Sequence, residues 1–457
     1  ILFNEGLKYE WNSIQISDAP NLKINSILHY QDFLNKQLRY LENSGFPFAR
    51  LTSKLSTDSN KINGEIQINR GPLVVFDSIQ IVSASKLNSF LISNLLGIKT
   101  GAIYDESLVS KISATIRQTP YLKLKRLPQV IFIKNKAKLY LELEKVNTSL
   151  LNGIVGVQPN SNQDLTITGE FNLGLLNALN RGETINFNWQ RIQNGTQEIS
   201  ISSEIPYLFK SKVGVSAELQ IYRRDSLSNR FLSSYDLLYT FNPNLRVKFG
   251  LVSQRNNTNT GDLPNFKNTN FSGYKLEGLY QKLDYAMNPR KGVSLSGFST
   301  LGNRNTDSNK NQQIILGINS SVFVPIKEKS TAHFFVKSSG TISSGLFLNE
   351  LDQIGGIGTI RGIDHRSILV TNWATAGLEY RFILDKNSNF ILFAEQNLHE
   401  AKTLLNIEKG SILATGVGLN IGTKSGVFNF YYSLAKNTNS NFSLGNGKIN
   451  FGFVSEF

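Results

Sequence analysis

Four glycines and two arginines crowd into residues 352–366, DQIGGIGTIRGIDHR. Glycines beside a cation can do two kinds of chemistry. Their backbone N–H groups can cradle a phosphate. Alternatively, they can let the chain turn tightly and press an arginine against a carboxylate. The phosphate reading fails on its own terms: no GK[ST] follows, and the stretch neither ends a βαβ strand nor opens a helix.

Other chemistry is sparse. The chain has no cysteine, which excludes disulfides, thiolate metal sites and a cysteine nucleophile. Its histidines, His29, His333, His365 and His399, show no ligand spacing. No nucleophile with a base and no paired-carboxylate site stands out, so no enzyme, cofactor or metal is expected. The formal charge is +14 over 457 residues. Lysine and arginine are spread along the chain without a dense basic helix, so a nucleic-acid partner is not expected. A basic surface facing anionic lipid headgroups fits at least as well. The chain begins at Ile1 with no n-region or h-region, which implies a targeting peptide removed or never part of this chain.

The elements that must position the glycine–arginine stretch come in two kinds. Residues 148–457 read as segments alternating apolar and polar, separated by Asn, Gly, Ser and Asp turns. In ETINFNWQR, Ile185, Phe187 and Trp189 share a face opposite Asn186, Asn188 and Gln190. LRVKFGLV sets Leu245, Val247, Phe249 and Leu251 against Arg246 and Lys248. Charges on one face of so many strands suit a barrel with lipid outside and a wet lumen inside, in place of a soluble sandwich. About sixteen such segments fit the even strand number of bacterial barrels. The last strand candidate places Ile449, Phe451, Phe453 and Phe457 on one parity. The glycine–arginine stretch lies between two strands, STAHFFVKSSGTIS and WATAGLEYRFIL, in a loop long enough to suggest function.

Residues 1–74 and 75–147 read as two α+β domains. In the first, Tyr30, Leu34, Leu38 and Leu41 share a helical face, with Gly45 as the stop. In the second, a short helix around Phe90–Leu96 precedes a longer one carrying Leu108, Ile112 and Ile116.

These motifs together resemble the BamA/TamA superfamily of outer-membrane assembly and translocation barrels, which have periplasmic POTRA domains. The core is Gly355, Gly356, Ile360, Arg361, Gly362 and Ile363. LDYAMNPRKGVSL, GLEYRF and ATGVGLNIGTKSGVFNFYYSLA resemble the motifs of the ninth, twelfth and fourteenth to fifteenth strands. GFPFA and INRGPLVVFDSIQI resemble POTRA junctions. The chain departs at Ile363, where the family usually has an aromatic residue. It departs again where Glu395 and Asn397 replace an Asp-x-Gly, and at 17–26, where the first helix is abbreviated or absent.

The resemblance implies a transmembrane barrel of sixteen antiparallel strands preceded by two POTRA-like domains, in the bacterial outer membrane. It also implies that the loop folds into the lumen, where Arg361 meets acidic groups. A buried guanidinium needs a carboxylate, and a planar fork pairs bidentately. Glu379 and Glu395 are the candidates by position. The plainer alternative is a solvated loop charge. The first barrel strand, LLNGIVGVQP, carries Gly153 and Gly156 and should pair weakly with residues 447–457, leaving a seam that can open. On this reading the protein inserts client outer-membrane polypeptides by strand addition at the seam (Gly153, Gly156, Phe451, Phe453, Phe457). Its partners would be those clients or secreted polypeptides, outer-membrane lipids, and periplasmic or lipoprotein subunits. The alternative is a two-partner-type secretion pore that conducts its client through the lumen. A passive porin would lack both the Arg-Gly loop and the N-terminal modules.

Overall fold

The computed structural model describes residues 9–16, 19–22, 27–159, 165–191, 196–209, 211–224, 227–259, 265–285, 288–307, 309–404, 406–423, 426–437 and 442–456. Two units divide the chain: residues 1–116 with 123–144, and residues 117–122 with 145–457.

The first unit holds two sheets. One is four-stranded, ordered Ala19–Leu22, Glu10–Ile16, Lys61–Asn69, Arg50–Asp58. A helix, Ile27–Asn43, buries Tyr30 against Ile66, with Trp11, Phe33, Leu34, Leu51 and Ile68 packed around them. It stops at Gly45, whose φ of 98° suits glycine, while the Phe46 N–H bonds back to the Leu41 carbonyl. Within 17–26, where the sequence implies a helix abbreviated or absent, Ala19–Leu22 is a strand antiparallel to Glu10–Ile16.

The second sheet combines Val75–Val82, Lys136–Lys145, Leu122–Leu124 and Gln129–Ile133. Two helices, Ser89–Leu96 and Glu106–Gln118, accompany it. The Asn88 side chain caps the first of these, and Gly97 ends it in the left-handed region. The apolar positions of the longer helix are realised as Ile112 and Ile116, both buried, as are Leu139, Leu141 and Leu143 of the sheet. The Tyr104 phenol is buried beside Glu106, and burial first, then that carboxylate, hold its proton well above the usual tyrosine range.

The second unit is a closed antiparallel barrel of sixteen strands. In chain order these are β1 (Leu150–Pro159), β2 (Leu165–Leu176), β3 (Thr184–Arg191) and β4 (Gln197–Ile205). Next come β5 (Val213–Arg224), β6 (Ser228–Asn242), β7 (Leu245–Thr258) and β8 (Thr269–Leu283). Then follow β9 (Gly292–Thr306), β10 (Lys310–Lys327), β11 (Ser330–Ile342) and β12 (Asn372–Ile383). The last are β13 (Asn389–Lys402), β14 (Ile407–Gly422), β15 (Gly426–Asn437) and β16 (Lys448–Glu456).

Alternation assigns the two faces. Along β6, Tyr235 (64% exposed), Leu237 (61%) and Tyr239 (44%) point outward, whereas Ser234, Asp236 and Thr240 are buried inside. No described helix is long and apolar enough to cross a membrane. Closure is uneven. β1 pairs with β2 along the whole of Leu150–Pro159. With β16, among the described residues, it pairs only at Leu151↔Ser455 and Leu150↔Glu456.

Candidate functional site

The loop from β11 to β12 enters the barrel and touches its wall on many sides. Two short strands, Asp352–Ile354 and Ile368–Val370, pair antiparallel and lead the chain in and out. Between them lies the glycine–arginine turn. Gly355 has φ 126°, and a Cβ there would sit 2.1 Å from the Asp364 carbonyl oxygen. Gly356 has φ 85°. At Gly362, φ is 78° and a Cβ would lie 3.0 Å from that of Ala435 on β15. Glycine is therefore needed at Gly355 and Gly362 for both conformation and close approach. Ile360 is fully buried against Ile412 and Ala414 of β14, with Ile363 and Ile368 alongside. That apolar seat accommodates the aliphatic Ile363.

Arg361 is 6% exposed, beside Glu379 (6%) on β12 and Glu395 (4%) on β13. Its Nη1 donates to Glu379 Oε1 at 2.9 Å. Its Nε (2.9 Å) and Nη2 (2.6 Å) both donate to Glu395 Oε2. Glu395 Oε1 accepts the Arg361 backbone N–H at 2.5 Å. The bidentate fork expected from the sequence is thus not formed. One guanidinium is shared between two carboxylates, because the turn brings the arginine's backbone as well as its side chain to Glu395. Its face lies 3.6 Å from the Phe393 ring centroid, a cation–π contact.

The wall supplies further partners that the sequence reading did not single out. Arg381 donates through Nε (2.8 Å) and Nη2 (2.6 Å) to Glu379 Oε2. His333 Nδ1 lies 2.8 Å from the same oxygen and its Nε2 lies 3.1 Å from Ser321 Oγ. Strand alternation carries the signal: Glu379 and Arg381 are two apart on β12, and His333 faces Glu379 across from β11. Asn397, placed where the resemblance expected a glycine, is fully buried. It donates to Thr375 Oγ1 on β12.

Other contacts ring the lumen. Arg366, itself at φ 51°, makes a bidentate pair with Glu198 of β4 at 2.9 and 2.5 Å. Tyr222 of β5 donates to Gln353 at 2.8 Å. Arg304 of β9 makes a bidentate pair with Glu350 at 2.6 and 2.6 Å. Lys448 of β16 meets Asp364 at 2.7 Å. A cavity of about 600 Å³ lies between the loop, at Glu350, Asp352, Gly358 and Thr359, and wall residues such as Gln254 and Phe298. Among the described residues no cluster of metal-ligating side chains occurs.

Gly153 and Gly156 are in β1, opposite Phe171 and Thr168 of β2. Phe451 and Phe453 of β16 pack on Phe428 at ring-centroid distances of 6.0 and 4.4 Å. Phe457 lies outside the described residues.

No protein-family model and no curated protein matches the chain. Solved structures do. CdiB from Escherichia coli is 13% identical with a TM-score of 0.63, covering 99% of this chain and 91% of that one. CdiB from Acinetobacter baumannii is 14% identical with a TM-score of 0.58, covering 100% and 91%. BamA from Haemophilus ducreyi lacking POTRA domains 1–3 is 14% identical with a TM-score of 0.50, covering 95% and 94%. At such identities the likeness is one of fold, and this chain has the fold of those barrels.

Proposed function

We propose that the chain is a polypeptide-translocating barrel of the bacterial outer membrane, with its two N-terminal sheets acting as POTRA-type modules in the periplasm. The client passes through the lumen, as in a two-partner-type secretion pore. The observation that carries this reading is the β11–β12 loop, which occupies the lumen yet is held by hydrogen bonds and ion pairs that can be broken and remade. One comparison favours secretion over insertion at the seam. The TM-scores with the CdiB structures (0.58 and 0.63) exceed that with BamA (0.50).

Insertion of client strands at the seam is the second reading, and the short β1–β16 pairing favours it. A cysteine pair separates the two. Leu151 and Ser455 are Cα partners, so Leu151→Cys with Ser455→Cys should oxidise to a disulfide. The chain has no competing thiol. Export of the client should continue with the seam locked if the lumen is the path. Arrest on oxidation, reversed by reductant, would establish the seam as the path.

A further inference from the structure

We infer that the turns β8–β9, β10–β11 and β12–β13 form a docking site for anionic phospholipid of the periplasmic leaflet. Lys282, Arg290, Lys291, Lys327, Lys329 and Lys386 are the cations that meet its phosphates. The inference rests on the outer-membrane reading and concerns the rim of the barrel, outside the lumen.

The sequence supplies the charge. Residues 282–291, 327–329 and 385–386 hold six lysines and arginines against three carboxylates, Asp284, Glu328 and Asp385. Two of the carboxylates are turned onto backbone. Asp284 Oδ1 accepts the N–H groups of Tyr285 (3.0 Å), Arg290 (3.0 Å) and Lys291 (3.1 Å). Asp385 Oδ1 accepts those of Asn387 (2.8 Å) and Ser388 (2.9 Å). Among the described residues, Lys282, Lys291, Lys327 and Lys329 are exposed and form no ion pair.

Hydrogen bonds gather the three turns into one rim. The Arg290 guanidinium donates to the Glu328 carbonyl. Tyr285 donates to Asn387 at 3.1 Å. Buried Asn288 donates to the Lys386 carbonyl at 3.4 Å and accepts from Asn389 at 2.9 Å. The Lys386 ammonium lies 4.7 Å from the Tyr285 ring centroid. The NPRKG segment, 288–292, thus ties the cations of separate strands together.

Alternation fixes the height of this rim in the membrane. Lys282 follows Leu276 and Tyr280 on the lipid-facing side of β8. Exposed Val324 and Ile326 precede Lys327, and exposed Phe382 and Leu384 precede Lys386. An apolar band edged by aromatic side chains marks the hydrocarbon boundary. The cations just beyond it therefore stand among headgroups, where a lysine stem can lie along apolar surface while its ammonium reaches a phosphate. Every turn from an even strand to the next odd one lies at the end where β1 begins, which on that reading faces the periplasm. An acidic polypeptide could match the charges, but it would gain nothing from the apolar band beside them.

The test is spin-label electron paramagnetic resonance of the full chain in phosphatidylcholine vesicles. Spin-labelled phosphatidylglycerol and spin-labelled phosphatidylcholine are the probes, and the protein-bound fraction of each gives the preference. Wild type should hold phosphatidylglycerol roughly fivefold over phosphatidylcholine, the effect of one basic residue beside an anionic surface. Lys282→Gln, Lys291→Gln, Lys327→Gln and Lys329→Gln, combined, should abolish the preference while phosphatidylcholine stays bound, which shows the variant still seated in the bilayer. The same change of charge at the opposite end, Lys310→Gln, Lys402→Gln, Lys409→Gln and Lys436→Gln, should leave the preference intact. A wild type that holds both labels alike would overturn the lipid site alone and leave an acidic polypeptide as the rim's partner. A preference that survives the rim substitutions, or falls equally with both sets, would also overturn the site. Absence of any bound label would overturn the membrane reading together with it.

Discussion

Arg361 shows how a single side chain can hold a loop inside a barrel. Its three donor nitrogens reach two carboxylates on neighbouring strands, and its face covers Phe393. Arg361→Ala should therefore leave Glu395 buried without its cation and cost about 3–5 kcal/mol, the usual penalty for breaking a buried pair. Arg361→Lys should recover part of this, because an ammonium can approach one carboxylate but cannot span both and still lie flat on a ring. Thermal unfolding of the three proteins in detergent checks the order: wild type, then Lys, then Ala. Equal melting would mean that the arginine holds nothing. Glu379 and Glu395 could be named by position because the resemblance implied a loop folded into the lumen, with its arginine against acidic groups of the wall. Arg304 and Arg366 could not be matched to Glu350 and Glu198, because no local pattern says where a loop folded back into a lumen will touch the wall. The shared geometry at Glu395 was equally hidden, since it depends on the backbone N–H that the turn delivers.

At the scale of the element, the loop's glycines are not equivalent. At Gly362, a left-handed backbone and a neighbour 3.0 Å from the would-be Cβ coincide. Gly362→Ala should cost at least the roughly 1–2 kcal/mol of forcing an L-residue into that region, with the steric push against β15 in addition. Gly358 has open space around its Cβ position, and Gly358→Ala should melt within error of wild type. If both variants behave alike, the turn is not under the constraint described. The strands themselves were legible, since a period of two over about sixteen segments with an apolar face leaves little choice of register. The strand Ala19–Leu22 was not. Its four residues, APNL, lie in a stretch too short to show a period, and pairing with Glu10–Ile16 defines it.

At the scale of the whole molecule, the question is which side of the sheet is wet. The barrel's interior carries a run of charges that neutralise one another: Arg246 and Lys248 on Glu204, then Lys248 and Lys275 on Glu277. Its exterior carries Phe249 (53% exposed), Leu251 (57%) and Tyr274 (61%). A soluble sheet closed on itself would reverse this, with an apolar interior and a polar exterior. Adjacent residues of β7 can therefore decide the matter. Leu251 faces outward, and Val252 lines the lumenal cavity. In a membrane barrel, Leu251→Arg puts a charge into hydrocarbon and should cost about 2–4 kcal/mol if it lies near the midplane. Val252→Arg puts the same charge into a wet lumen and should cost far less. The fluorescence of the chain's three tryptophans, followed over a series of urea concentrations in lipid vesicles, reads the fraction folded for both variants. The outer-membrane assignment predicts a lower urea midpoint for Leu251→Arg and a near-wild-type one for Val252→Arg. The opposite order would mean that water bathes the outside, and that the barrel is not a membrane protein.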